Sequence, residues 1–297
     1  MLPARWSIRA FDMRDLRARL PLRRFCRDRL ALAGLTALAI MLLAAAFAPI
    51  LGRGDPNSID HMLMGTATLP TWQHPFGTDV EGRDYFTRAL YGARVSLGIG
   101  IIAMLVSVGV GAMYGSVAAY YGGVIDAILM RSVDVILSFP PLLLILVVEA
   151  LTNRFSLAII VLVIGLLSWP GVSRIVRAEV LSIKKREYVQ AATAIGAGDV
   201  RIIARHLIPN ALAPVLVAAT IAVGDNILSE ASLSFLGLGV QIPTSSWGNM
   251  LQTALQQQTQ AAPWLIAIPG LLILTTVLAF NFVGQGIRKA ADVQIAL

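Results

Sequence analysis

Asp134, Asp225 and Glu230 stand inside apolar stretches of this sequence. An unpaired charge at the centre of a bilayer-spanning helix costs about 2.5–3.5 kcal/mol on insertion scales, so each needs a partner or a watery path. Asp134 follows Arg131 by three residues, which predicts an ion pair on one helix face, with a pathway role as the second reading. Asp225 and Glu230 are expected to face the interior of a helix bundle, and a proton relay through them is the alternative. Other chemistries lack their parts. His61, His74 and His206 are scattered without metal-ligand spacing. The single cysteine, Cys26, allows neither an internal disulfide nor a cysteine metal site. No Gly-x-Ser-x-Gly elbow or His-Glu-x-x-His pair supports a hydrolase. The only lysines are Lys184, Lys185 and Lys289, and none follows a glycine, so the chain has no phosphate-cradling loop. It is expected to be no enzyme, with no cofactor and no metal of its own.

The elements that must hold these residues are membrane helices. Of 297 residues 57% are hydrophobic and 14% charged, with a mean hydropathy of +0.73; soluble domains carry about 25% charged residues. The uncharged runs 30–52 and 95–124 are long enough to cross a bilayer. Hydropathy draws six spans, at 30–51, 94–116, 127–149, 155–175, 209–233 and 263–284. Lipid tolerates only helices or closed barrels, and alternating strands are absent, so the fold class is all-α. Gly98, Gly100, Gly109, Gly111 and Gly115 suit close helix packing. The first apolar run exceeds a signal-peptide core and is expected to be a retained span. Before it, the basic segment 1–29 predicts a helix on the lipid membrane surface from about Leu22 onward.

Charge sets the expected orientation. With the N-terminus inside, 19 of the 24 lysines and arginines fall on the inner side and five on the outer, as cytoplasmic loops require. Both termini, including the tail 285–297, are then cytoplasmic. The pI of 10.1 follows from this bias, and no nucleic-acid partner is expected. The segment 52–93 becomes an external loop, and 94–284 the core domain. The outer segment 234–262 has no charge and many amides (Gln241, Asn249, Gln252, Gln256, Gln257, Gln258, Gln260), and it carries Trp247, with Trp264 just beyond it. It reads as a loop anchored by tryptophans at the interface, or as a gate in which Trp247 and Asn249 face the pathway.

The inner segment 186–208 predicts two short helices. Glu187 to Ile195 favour a helix that Gly196 ends in the left-handed conformation. Asp199 is the expected N-cap of the second, with Arg201 and Arg205 one turn apart, until Pro209 stops it. Small residues Ala191, Ala192 and Ala194 leave a low surface on which another protein can dock, beside Glu187, Tyr188 and Gln190.

This segment resembles the "EAA" coupling loop of ATP-binding-cassette importer permeases, with Gly196 at the motif's glycine. The resemblance extends to the dipeptide/oligopeptide/nickel transporter family through His74-Pro-Phe-Gly-Thr-Asp-Val-Glu-Gly-Arg-Asp84, Tyr91-Gly-Ala-Arg-Val-Ser-Leu-Gly98, Tyr120-Tyr-Gly-Gly123, Ser138-Phe-Pro140, Ser229-Glu-Ala-Ser-Leu-Ser-Phe-Leu-Gly-Leu-Gly239, Ser246-Trp-Gly-Asn-Met-Leu251, Ala262-Pro-Trp264 and Leu278-Ala-Phe-Asn281. It covers about residues 25–290. Gln190 replaces the motif's glutamate, and Ala291-Asp-Val293 replaces a Leu-Asp-Pro. The resemblance implies a type I importer permease in the inner membrane of a prokaryote. It further implies a second homologous permease, two ATP-binding subunits that hold ATP and Mg, an external solute-binding protein, and peptides, nickel chelates or glutathione-like solutes as cargo.

Overall fold

A computed structural model describes residues 25–152, 156–256 and 262–292. The basic segment before Phe25, Arg154, the amides Gln257, Gln258 and Gln260, and the tail after Asp292 lie outside the described residues. Helix α1 (Arg29–Ala46) continues past a turn at Phe47 as α2 (Ala48–Leu51). Residues 52–84 form an irregular cap whose one β-bridge joins Thr78 to Asp84. Helix α3 (Tyr85–Tyr121) is followed by α4 (Gly123–Leu137) and α5 (Pro141–Thr152), which meet at a bend of 83°. Then come α6 (Leu157–Lys184), the short α7 (Glu187–Ala194) and α8 (Asp199–Ile202), a π turn at Ile203–Leu207, and α9 (Ile208–Asn210). Helices α10 (Leu212–Phe235), α11 (Trp247–Gln256) and α12 (Trp264–Asp292) complete the chain.

Close approaches fix the direction of each span. A Cβ on Gly165 would strike the Ala103 carbonyl, and one on Gly115 would lie 2.3 Å from that of Ser173; Lys184 Nζ donates to the Tyr120 carbonyl at 2.5 Å. Both helices ascend together, so α3 and α6 are parallel. The chain must therefore cross back between Tyr121 and Leu157, and the contacts of α4 and α5 show it doing so. Asp126 pairs with Arg177 near one end, while Ile145 packs with Ile99, Ile160 and Ile164 nearer the other. The bent pair is one span, and the described residues hold six. Helix α10 runs against α3, with Asn226 reaching the Gly100 carbonyl and Glu230 reaching Ser96. Helix α12 runs against α10 (Gly284 at Thr220, Gly224 at Val277). Helix α1 runs against α12, with Gly34 at Ala279, Thr276 at Met41 and Lys289 at Asp28. Phe25 and Asp292 therefore lie at the same end as the α7–α8 hairpin, and the 52–84 cap lies opposite.

Several span limits differ from hydropathy. Helix α3 begins nine residues before 94 because Asp84 caps it, accepting from the Thr87 amide at 2.8 Å. Arg88, within that extra turn, is 1% exposed and meets Asp79 rather than lipid. Helix α6 runs on to Lys184 instead of ending near 175, so two further turns stand beyond the apolar run. The predicted third span is broken where Pro140 denies its neighbours a continuous ladder. Of the five glycines assigned to packing, Gly100, Gly111 and Gly115 sit at helix contacts, whereas Gly98 and Gly109 face open space.

Candidate functional site

The hairpin that follows α6 is built to stand rigidly at the end of the bundle. Helix α7 ends in a Schellman cap: Gly196 takes φ +81°, its amide donates to the Thr193 carbonyl at 3.0 Å, and the Ala197 amide donates to that of Ala192 at 3.1 Å. Val189, Ile202 and Leu207 turn inward onto Val176, Val180 and Ile183 of α6 and Ala119 of α3, and Ala192 is buried at 7% exposure. Ala192 is therefore an anchor, not part of the outer surface. That surface carries Glu187, Tyr188, Gln190, Ala191 and Arg201, with Ile195 and Val200 at 86% and 80% exposure. Together they give the fixed turn an apolar tip.

Asp199 departs from its expected role. Gly198 is the N-cap of α8, and the Asp199 side chain makes no capping bond. Its carboxylate instead accepts from the Tyr120 hydroxyl at 2.7 Å, tying the hairpin to the last turn of α3. Lys184 donates to the carbonyl of the same Tyr120, where a cation also offsets the helix's negative end. Arg205 is exposed but is not a regular turn from Arg201, since the helix widens into a π turn between Ile203 and Leu207. Pro209 has no amide hydrogen for the Arg205 carbonyl, and widening accommodates it; the Asn210 side chain satisfies the His206 carbonyl at 2.6 Å. The helix passes through Pro209 rather than stopping there.

The carboxylates of the spans separate into different environments. Asp134 pairs with Arg174 of α6 at 2.5 Å, not with Arg131, because it points across the α4–α6 seam. Glu230 is fully buried and accepts from Ser96 at 2.9 Å and Ser234 at 2.7 Å. Those hydroxyls in turn accept the amides of Trp247 and Val240. Glu230 thus orients two serines that pin the segment 236–247 over the bundle. Asp225, five residues earlier, lies on the exposed side of α10 with Ile221 and Leu228. It does not face the interior of this bundle, and the two carboxylates occupy different faces.

The uncharged segment 234–262 is not a plain loop, since it contains α11. Trp247 is fully buried, not interfacial, and its indole donates to the Ala89 carbonyl at 3.1 Å. Asn249 is also buried and faces no open path. It accepts from the Ser246 amide at 3.0 Å, while the Ser246 hydroxyl accepts from the Asn249 amide at 3.2 Å. This reciprocal pair is a capping box with asparagine in the acidic position. Sequence reasoning missed Asp79, Arg83 and Arg88, a buried cluster in which Arg83 Nε donates to Asp79 at 2.7 Å. Their signal was five charges between Asp79 and Arg88 beside an apolar run, which read as part of an external loop.

Fold and site together define a polytopic helical subunit of the membrane, with a protruding hairpin at one end and a folded cap at the other. The chain belongs to the family of binding-protein-dependent transport system inner membrane components, which matches residues 89–294. Residues 18–68 match the N-terminal TM domain of oligopeptide transport permease C. A candidate peptide permease protein of Brucella suis biovar 1 is 42% identical, over 91% of this chain and 88% of its own. The dipeptide transport system permease protein of Alkalihalophilus pseudofirmus is 40% identical, over 90% and 86%. Among solved structures, a chain of a methionine ABC transporter in inward-facing conformations superposes with a TM-score of 0.54 at 20% identity. That match covers 67% of this chain and 94% of the other, and it establishes a shared type I importer permease fold.

Proposed function

We propose that this chain is one permease half of an ATP-driven importer of peptides, working with a second permease, two ATP-binding subunits and an external solute-binding protein. ATP and Mg bind on the partner subunits, and closure of their cleft moves this bundle through α7 and α8. The observation that carries the reading is the hairpin: a Schellman-capped turn, fixed to α3 and α6, that presents Tyr188, Ile195 and Val200 outward. A rigid knob with an uncovered apolar tip transmits a push, because its movement cannot be absorbed within the loop. The hairpin end is then cytoplasmic and the 52–84 cap external. Peptide cargo is supported by the names of the relatives, with nickel chelates and glutathione-like solutes as the other cargoes that the family resemblance implies. Asp225, exposed on an otherwise apolar stripe, faces either the pathway or the second permease.

The test is uptake of a labelled dipeptide into vesicles containing the chain with and without its partner subunits. Uptake is expected only with all partners and ATP, and unlabelled nickel chelates or glutathione added in excess identify the cargo. Accumulation by the chain alone under a proton gradient would replace this reading with a proton-coupled carrier using Asp225 and Glu230.

A further inference from the structure

One stretch of the cap is free of charge and bare. No Asp, Glu, Lys or Arg stands between Asp60 and Asp79, whereas residues 79–94 hold six. Within that stretch Leu69 is 65% and Trp72 99% exposed. An indole turned wholly outward contributes nothing to the packing of its own cap, and in membrane proteins such side chains collect at the headgroup level.

Two sets of contacts fix the height of the stretch. Arg53 stands two residues beyond the end of α2. Its amide donates to Thr87 Oγ1 at 2.9 Å, and its Nη2 donates to the Trp72 carbonyl at 2.8 Å. Helix α1 has 18 residues, which rise about 27 Å against a hydrocarbon core of about 30 Å. Helix α2 therefore ends near the far edge of that core, with the Trp72 backbone beside it. On the other side, a Cβ on Gly77 would stand 3.2 Å from Trp264 Nε1 and 3.3 Å from the Leu69 carbonyl carbon. Trp264 opens α12, so Leu69 lies at the cap end of that helix. The chain from Leu69 to Trp72 thus runs from the start of α12 to the end of α2, along the rim of the α1–α12 seam. Of the five unbroken spans these two are the barest, with 22% and 28% of the residues in their most apolar stretches buried. Leu43, Phe47 and Ile50 on α1 and its continuation, and Leu271 and Leu274 on α12, are exposed. Leu69 and Trp72 carry this lipid-facing surface past the ends of the helices.

We infer that Leu69 and Trp72 anchor the cap to the membrane, seated among the phospholipid headgroups and upper acyl chains of the leaflet at that end of the bundle. Arg53 is exposed and has donors beyond the one given to Trp72; a lipid phosphate is the acceptor at that level. The headgroup layer is hydrated, so Thr71 beside them stays open to water-soluble reagents. The anchor sets the height of the cap whatever solute the chain carries.

The experiment places the assembled transporter in nanodiscs of phosphatidylcholine brominated either near the headgroup or near the chain ends. The difference in emission between the natural chain and Trp72→Phe isolates this indole, and thermal melting of both controls for folding. Bromine near the headgroup is expected to quench Trp72 more strongly than bromine at the chain ends, and acrylamide in the water to quench it weakly. Arg53→Gln, which frees the stretch from α2, should reduce the quenching by shallow bromine, as should Leu69→Ser. Full quenching by acrylamide with no effect of either brominated lipid overturns the anchor. Emission that responds to added solute-binding protein but not to bromine would make the stretch a protein-docking surface and overturn it equally. Stronger quenching by the chain-end bromines would sink the stretch into the bilayer core and overturn the headgroup assignment.

Discussion

At the scale of single residues, Gly196 and Glu230 make opposite demands. Gly196 has φ +81° and nothing within 4 Å of where a Cβ would lie. A side chain there meets no neighbour within the chain, yet the left-handed backbone strains any β-carbon by about 1–2 kcal/mol. Gly196→Asp should therefore leave the spans inserted and folded while displacing the outer surface of the hairpin. Peptide uptake should fail, and ATPase subunits should dissociate or turn over uncoupled in co-purification. Gln190→Ala should be mild, because the side chain makes only a 3.3 Å contact with the Lys185 carbonyl. Normal uptake by an intact Gly196→Asp complex would remove the coupling role. Glu230 is surrounded. Glu230→Leu strips two serines of their acceptor, at about 1–3 kcal/mol for the buried groups left unpaired. Its melting temperature should fall below that of Glu230→Gln, which keeps one oxygen, and equal values would show that the serines find other partners.

At the scale of elements, the cap is held by buried charge and the outer helix by an aromatic plug. Asp79 is 2% exposed between Arg83 and Arg88, so Asp79→Asn should destabilise by about 3–5 kcal/mol, since it leaves buried Arg88 without a countercharge while Arg83 keeps only Glu81. Hydrogen exchange should place the loss in residues 60–90 and leave the hairpin protected. The exposed Asp134–Arg174 pair is worth about 0–1 kcal/mol, so Arg174→Gln should barely move the melting temperature. Trp247→Ala removes a fully buried indole and its bond to Ala89, for about 3–5 kcal/mol. The six spans were legible because an apolar run of bilayer length has one solution. The Gly196 turn was legible because a glycine after a helix-forming run has a local meaning. Helix α11 was not, since its asparagine capping box and amphipathic face resemble polar loop sequence until Ala89 and Ser96 are seen to receive it. The partner of Asp134 was hidden for the same reason: local spacing offered Arg131, and only the packing of α4 on α6 brings Arg174 nearer. Ala192 shows the limit within one helix, where spacing gave a low surface but not which side of it faces the bundle.

At the scale of the whole molecule, the hairpin end and the cap end must lie on opposite sides of a membrane. In a Cys26→Ser background, Thr71→Cys should label from outside intact cells, and Lys185→Cys only after permeabilisation. Labelling of Lys185→Cys from outside would reverse the orientation and detach the hairpin from any cytoplasmic partner. The antiparallel seam between α1 and α12 has a consequence in time rather than in space. Gly34 sits against Ala279, and Asp28, which caps α1, has its carboxyl held below the usual range by Lys289. Among the described residues, the first membrane helix thus packs on the last. At a translation rate of about 5–20 residues per second, roughly 12–50 s separate the two. During that interval α1 waits in the bilayer with its glycine notch unfilled, so a nascent chain stalled before α12 is the form of this protein most open to capture by a chaperone or a membrane protease.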